Sequence, residues 1–251
     1  MTPSRAQLAL RLAWGAFGLT ALSGVLAAIA VLGYRARWFD LAVARHGVLL
    51  ASVIVSCLAV LLIIVRIGVV LRSDRAPGVV PAMAALLGAV ALLWGPTSQI
   101  RITHSLPSLH DITTDFGDPP VFAAPQEKEC ARASAADYGG STVAQAQKAT
   151  YPDIMPIMLS ENERGAFTRA YAAAQRLGWT IVSADPDTGR IEACVTSFWF
   201  RLTDDIAIRV RPQGEGSRID LRSVSRETGG DENGQANARR IRKFTSLLMK
   251  E

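Results

Sequence analysis

The sequence predicts two parts. An N-terminal three-helix transmembrane bundle occupies residues 1–98, and a C-terminal α+β domain occupies 160–251, ordered as helix, four-stranded antiparallel meander, helix. Three observations predict this division. Three apolar runs crowd the first hundred residues. Short alternating runs separated by Gly, Pro and Asp turns recur after Trp179. The two halves also differ in charge: up to residue 100 there are eight arginines, no lysine and two aspartates, a net of +6, whereas residues 101–251 hold 19 Lys+Arg against 20 Asp+Glu. The overall +5 therefore resides in the hydrophobic half. A basic chain invites a nucleic-acid reading, and this distribution removes its support.

The first apolar run, Leu8 to Leu32, exceeds the roughly 20 residues needed to cross a bilayer. Arg5 and Arg11 before an apolar core also fit a secretory signal peptide, but this core is long for one and two further runs follow. The second run is Gly47 to Val65, extending to Leu71 with Arg66 in its last turns, from where a long side chain can snorkel to the interface. The third and shortest, Val79 to Trp94, is closed by Gly95 and Pro96. Trp14, Trp38 and Trp94 lie near the ends of these runs, where indole favours the headgroup region. Gly15/Gly18 and Ser23/Ala27 are expected to supply small faces for close helix packing. No acidic residue sits in mid-span, so an ion or proton path has no residue to run on, and buried polar groups are not expected there.

Three spans place the termini on opposite sides. Arg5, Arg11, Arg66, Arg72 and Arg75 fall on the N-terminal side, against Arg35, Arg37, Arg45 and Arg101 on the other. The positive-inside bias puts the N-terminus in the cytoplasm and the C-terminal half outside, in the periplasm of a bacterial cell. Cys130 and Cys194 are the two cysteines of that half; a disulfide and two separate structural thiols are both compatible with the sequence.

Residues 99–159 read as an extended, proline-rich connector with a short helix over Ser141–Thr150. Its carboxylates Asp111 and Asp115 are candidates to dock on arginines of the domain. His104, His110, Asp111 and Asp115 match no metal motif, and neither a metal nor a cofactor is expected.

In the domain, Ser160 with Glu163 forms a capping-box pattern, opening a helix that carries Phe167, Ala170, Tyr171, Ala174 and Leu177 and stops at Gly178. Trp179–Ala184 reads as the first strand and Asp185–Gly189 as a turn. The second strand, Arg190–Leu202, ends in the aromatic group Phe198-Trp199-Phe200. Ile206, Ile208 and Val210 mark the third strand and Ile219 and Leu221 the fourth; Arg209, Arg211, Asp220 and Arg222 share the opposite, charged face, expected to be solvated. A final helix runs from Gln235 to Met249.

Gly178-Trp179, Asp204-Asp205 and Arg222-Ser223-Val224-Ser225-Arg226, followed by Gly229, Asp231, Gly234, Asn237 and Arg240-Ile241, resemble the domain-of-unknown-function 1499 family of bacteria and plastids. The His110–Asp115 segment and Tyr151-Pro152-Asp153-Ile154 resemble its membrane-anchored branch. The resemblance implies no biochemical activity. It directs attention to Arg222, Ser223, Ser225, Arg226, Asn237 and Arg240 as a candidate anion or partner site, with Asp111, Asp115 and Asp231 as docking carboxylates.

Three functions follow. The first is a non-enzymatic binding or scaffold module of the cell envelope whose partners are the bilayer and an envelope protein or anionic headgroup. The second is an envelope enzyme acting on a phosphate-bearing substrate through Arg222, Ser223, Ser225 and Arg226, with Asp111 or Asp115 as base; no nucleophile motif supports it. The third is a membrane subunit whose spans do the work, which buried polar residues in the spans would favour. Against the first two stands a plainer role for Arg222 and Arg226, pairing with carboxylates to close the domain on its connector.

Overall fold

The computed structural model describes residues 4–72, 77–97, 109–124, 130, 138–227 and 234–250. The chain divides into two compact units, Met1–Ile102 and Thr103–Glu251.

The first unit consists of α1 (Arg5–Arg35), α2 (Leu50–Val70), which a π-helical turn over Val43–Leu49 extends at its start, and α3 (Val79–Thr97). Ser4 caps α1 and exchanges bonds with Gln7 in a capping box. Two helices, Arg5–Arg35 and Val43–Val70, are long and apolar enough to cross a membrane; the apolar helix Val79–Trp94 is shorter. Their packing inverts that of a water-soluble bundle. Large side chains such as Trp14, Leu32, Leu61, Leu87 and Trp94 face outward, while Ala9, Ala13, Ala16, Thr20 and Ser23 are buried along one stripe of α1. Small residues at these three- and four-residue steps let helix backbones approach where dispersion and hydrogen bonding hold helices together.

That stripe corrects the expected one in part. Gly15 and Gly18 are exposed, and a Cβ on Gly18 would meet nothing within 4 Å, whereas one on Gly15 would touch Leu62 of α2 at 3.4 Å; Ser23 is buried and Ala27 half-buried, as a small packing face requires. Polar burial is also present, contrary to expectation. Ser23 Oγ lies 2.9 Å from Ser52 Oγ and 2.6 Å from Ser56 Oγ, and Thr20 donates to the Ala85 carbonyl at 3.2 Å. These hydroxyls bond one another and backbone, so they act as interhelical fasteners. Arg66 is buried rather than snorkelling, and its Nη2 donates to the Pro77 carbonyl at 2.9 Å.

The second unit is an antiparallel sheet with flanking helices: β1 (Asp111–Thr113), α4 (Gly140–Thr150), β2 (Ile157–Leu159), α5 (Glu163–Arg176), β3 (Thr180–Asp185), β4 (Arg190–Thr196), β5 (Thr203–Gln213), β6 (Gly216–Ser225) and α6 (Gln235–Leu248). The sheet has six strands, not four, in the order β1-β6-β5-β4-β3 with β2 also on β6. The long strand β6 thus pairs with β5 along one edge, and with β2 and β1 in succession along the other. Each added strand is three residues long, too short for alternation to reveal it. Gln147 of α4 closes the outer edge of β1: its amide accepts from Thr113 N at 3.0 Å and donates to Thr113 O at 2.7 Å, as a neighbouring strand would.

One sheet face builds the core. Ile191, Ala193, Ile206, Ile208, Val210, Ile219 and Leu221 pack with Phe167, Ala170 and Ala174 of α5 and Ala238, Ile241, Phe244 and Leu248 of α6. Trp179 stacks on Phe244 at 5.4 Å between ring centres. Two local expectations change. The N-cap of α5 is Asn162, whose side chain accepts from Gly165 N at 2.9 Å; it lies one residue before the helix, and so displaces the Ser160/Glu163 box. β4 ends at Thr196, so Phe198 and Trp199 lie in the following loop.

Candidate functional site

Strand β6 carries Arg222-Ser223-Val224-Ser225 to its end, with Arg226 the next residue, and alternation sends successive side chains to opposite faces. The residues adjacent in sequence therefore form two separate clusters. Arg222 and Arg226 lie on the charged face. Ser223 and Ser225 lie on the helix face, with Asn237 and Arg240 of α6.

On the helix face, Ser223 donates to Asn237 Oδ1 at 2.7 Å, and Asn237 Nδ2 donates to Ser225 Oγ at 3.0 Å. Arg240 Nη1 donates to Ser223 Oγ and Asn237 Oδ1 at 2.8 and 2.7 Å, while Nη2 donates to Asp204 at 2.5 Å. Asp204 is the register partner of Ser225, so the same strand pairing that places the serine places the carboxylate. The αL residue Gly234 starts the helix bearing Asn237, and a Cβ there would come within 2.8 Å of the Leu109 carbonyl. This network ties α6 to β5 and β6.

The charged face is largely covered rather than solvated, although Arg211 keeps 36% of its side chain exposed. Residues 109–124 cover it, leaving Arg222 2% and Asp220 0% exposed. Arg222 meets Asp111 with two nitrogens: Nε donates at 3.0 and 3.1 Å, and Nη2 at 2.6 Å. Nη1 reaches the Pro120 carbonyl at 3.3 Å, and the guanidinium lies 5.5 Å from the Phe122 ring centre and 5.8 Å from that of Tyr138. Burial, then the Asp111 charge, pushes the Tyr138 phenol up to about 12, against the opposing pull of Arg222.

Beside it stands a second ionic group. Arg209 and Arg211 each donate to Asp115 (3.3 and 3.0 Å), to Asp118 (2.9 and 3.1 Å) and to Asp220 (3.2 and 2.8 Å). Arg218 adds bonds to Asp115 and Asp220 at 2.7 and 2.8 Å. Three guanidiniums meet three carboxylates, so the group is locally neutral. Burial alone would raise the Asp115 carboxyl; amides of Asp118 and Gly117 and the Arg218 and Arg209 charges overcome it and hold it below its ordinary value. Segment 109–124 is tied down again where Glu192 accepts from Ala123 and Ala124 amides at 2.6 and 2.9 Å; burial still pushes that carboxyl up.

Arg226 bonds Asp205 with Nε at 3.1 and 2.9 Å and with Nη2 at 2.6 Å, and Nη2 also donates to the Cys130 carbonyl at 2.6 Å. The Asp205 hydrogen bonds raise its already high pKa. Cys130 is disulfide-bonded to Cys194 of β4, with their Cα atoms 6.3 Å apart, within the usual span of such a bond. Asp231 and His104 lie outside the described residues.

The six residues singled out from the sequence thus divide into an ion-paired face and a hydroxyl–amide network. Arg218 was not among them, and neither were Arg209, Arg211 and Asp220, which the sequence placed on a charged face expected to be solvated. The two-residue period already put Arg209, Arg211 and Asp220 on one face; the cross-strand register of the β5–β6 hairpin, which aligns Arg209 with Asp220 and Arg211 with Arg218, is the further signal that points to an ionic group. Asp118 and Gln147 carried no such signal.

No curated relative matches the chain. A family model described as "Protein of unknown function (DUF1499)" matches residues 111–248, more than half of the 251 residues, beginning at the carboxylate that pairs with Arg222 and ending at the last residue of α6. The chain belongs to the DUF1499 family.

Proposed function

We propose that the protein is an integral inner-membrane protein that holds a non-enzymatic binding or scaffold domain on the periplasmic face of the cell envelope. The observation that carries this reading is the internal engagement of the arginines: Arg222 is taken up by Asp111, Arg226 by Asp205 and Arg240 by Asp204. An anionic substrate would have to displace a carboxylate already held at hydrogen-bond distance, and for Arg222 it would have to do so in a buried site. The cluster serves as fastening. Two long apolar helices support anchoring, and a disulfide between Cys130 and Cys194 supports an oxidising compartment.

Arg226 is the most accessible of the three, at 29% exposure, so it decides the test. Melting of the detergent-solubilised full chain is measured with and without inorganic phosphate, beside Arg226→Ala. The reading expects no phosphate-dependent shift in the parent chain and a lower melting temperature in the variant. A saturable phosphate shift lost in a variant that still folds would contradict it.

A further inference from the structure

The loop between β4 and β5 projects two large aromatic side chains into solvent. Phe198 is 79% and Trp199 60% exposed, the former the most exposed large hydrophobic residue among those described in the sheet unit. Their rings pack edge to face at 5.2 Å. Phe200 turns back and is buried, while Arg201, beside the pair in the αL region (φ 54°), is exposed. An exposed aromatic pair standing together at a loop tip marks a surface that meets a partner, whether membrane or protein.

The loop is built rather than loose. Ser197 N donates to the Leu202 carbonyl at 2.8 Å, Leu202 N donates to Ser197 Oγ at 2.9 Å, and the Thr196 and Thr203 hydroxyls meet at 3.2 Å across its base. Below that base, Cys194 carries the disulfide and Asp205 the Arg226 pair. A base held in this way leaves less backbone freedom to be lost when the tip meets a partner, which favours binding.

Register shows which end of the sheet bears the tip. Asp111, Val224, Asp205 and Cys194 form one row across β1, β6, β5 and β4. β4 and β5 run on to the Thr196–Thr203 pair, about 7 Å further at the usual strand rise, and the aromatic loop lies beyond. The chain enters the sheet at that same end, where the His110 carbonyl accepts from Ser225 N at 2.9 Å. Only residues 98–108 separate this entry from Thr97, the last residue of α3.

We infer that the Phe198–Trp199 tip is a bilayer-docking wedge that inserts into the headgroup region of the membrane holding the N-terminal helices. Indole and phenyl rings favour that depth, and the neighbouring Arg201 guanidinium suits lipid phosphate. The sheet end bearing the wedge is the end that the chain reaches first from its apolar helices. The inference rests on the anchoring reading above.

The test uses the full chain reconstituted in vesicles of phosphatidylethanolamine and phosphatidylglycerol, with acyl chains brominated near the glycerol. The emission of Trp199 is taken as the difference between the parent chain and Trp199→Phe, because four other tryptophans contribute equally to both. Carbonate extraction of the same vesicles reports anchoring separately. A carbonate-resistant chain whose Trp199 emission is blue-shifted and quenched by the brominated lipid is the expected result. Water-like, unquenched Trp199 emission in a carbonate-resistant chain overturns the wedge and leaves anchoring intact. A blue-shifted but unquenched Trp199 assigns the tip to a protein surface, a second copy included, and overturns the lipid assignment. Release by carbonate overturns the anchoring reading, and the wedge with it.

Discussion

Arg222 sits where an isolated cation would be intolerable, and its neighbours show why it is tolerated. Asp111 supplies a two-nitrogen ion pair, Pro120 a carbonyl, and two aromatic rings the remaining walls. Arg222→Ala is therefore expected to cost about 3–5 kcal/mol by leaving the Asp111 carboxylate without its partner. Asp111→Leu/Arg222→Met should cost much less than the sum of its single substitutions. Urea unfolding of the parent, Arg222→Ala, both single substitutions of the cycle and the double checks this, and additive losses would refute the pairing. Asp115 makes a pH prediction. Its carboxyl is held below its ordinary value of 3.8, so its contribution is complete above that value and is lost as pH falls through the lower folded one. Asp115→Asn should be less stable at neutral pH by about 1–3 kcal/mol, and should lose less on acidification. Unfolding curves from neutral pH to about pH 2 measure both effects. A variant whose acid loss equals that of the parent would remove Asp115 from the account.

Among the elements, the long ones were legible and the short ones were not. Apolar runs announce α1, α2 and α3, and alternation announces β5 and β6, because each has enough residues to display its period. β1 and β2 are specified by what β6 offers them, a property of the assembled sheet rather than of their own three residues. The division of the Arg–Ser cluster was legible in principle from strand parity. Its burial was not, because the segment covering it lies about a hundred residues earlier in the chain. The disulfide has the same long-range character, joining β4 to Cys130 across a separation of 64 residues. Closing a loop of that size limits the unfolded chain, so reduction should lower stability by about 2–4 kcal/mol. Melting with and without reductant, repeated on Cys130→Ala/Cys194→Ala, tests this; a double variant that still responds to reductant would contradict it.

At the scale of the whole molecule, two solvents are written into one chain. The described residues of the N-terminal helices bury mainly small side chains and expose large apolar ones, whereas the sheet unit buries Ile, Leu and Phe and pairs its buried charges internally. The first pattern is stable against lipid and the second in water, which is why an anchored domain is the economical account of both. Three crossings would put the termini on opposite sides, with the charge bias of the N-terminal half setting the direction. The most direct test is a pair of C-terminal fusions in a bacterial cell, one to alkaline phosphatase, active only outside the cytoplasm, and one to a fluorescent protein that matures only inside it. The account predicts an active phosphatase and a dark fluorescent fusion in the membrane fraction. A bright fluorescent fusion with an inactive phosphatase would place the domain in the cytoplasm and contradict it.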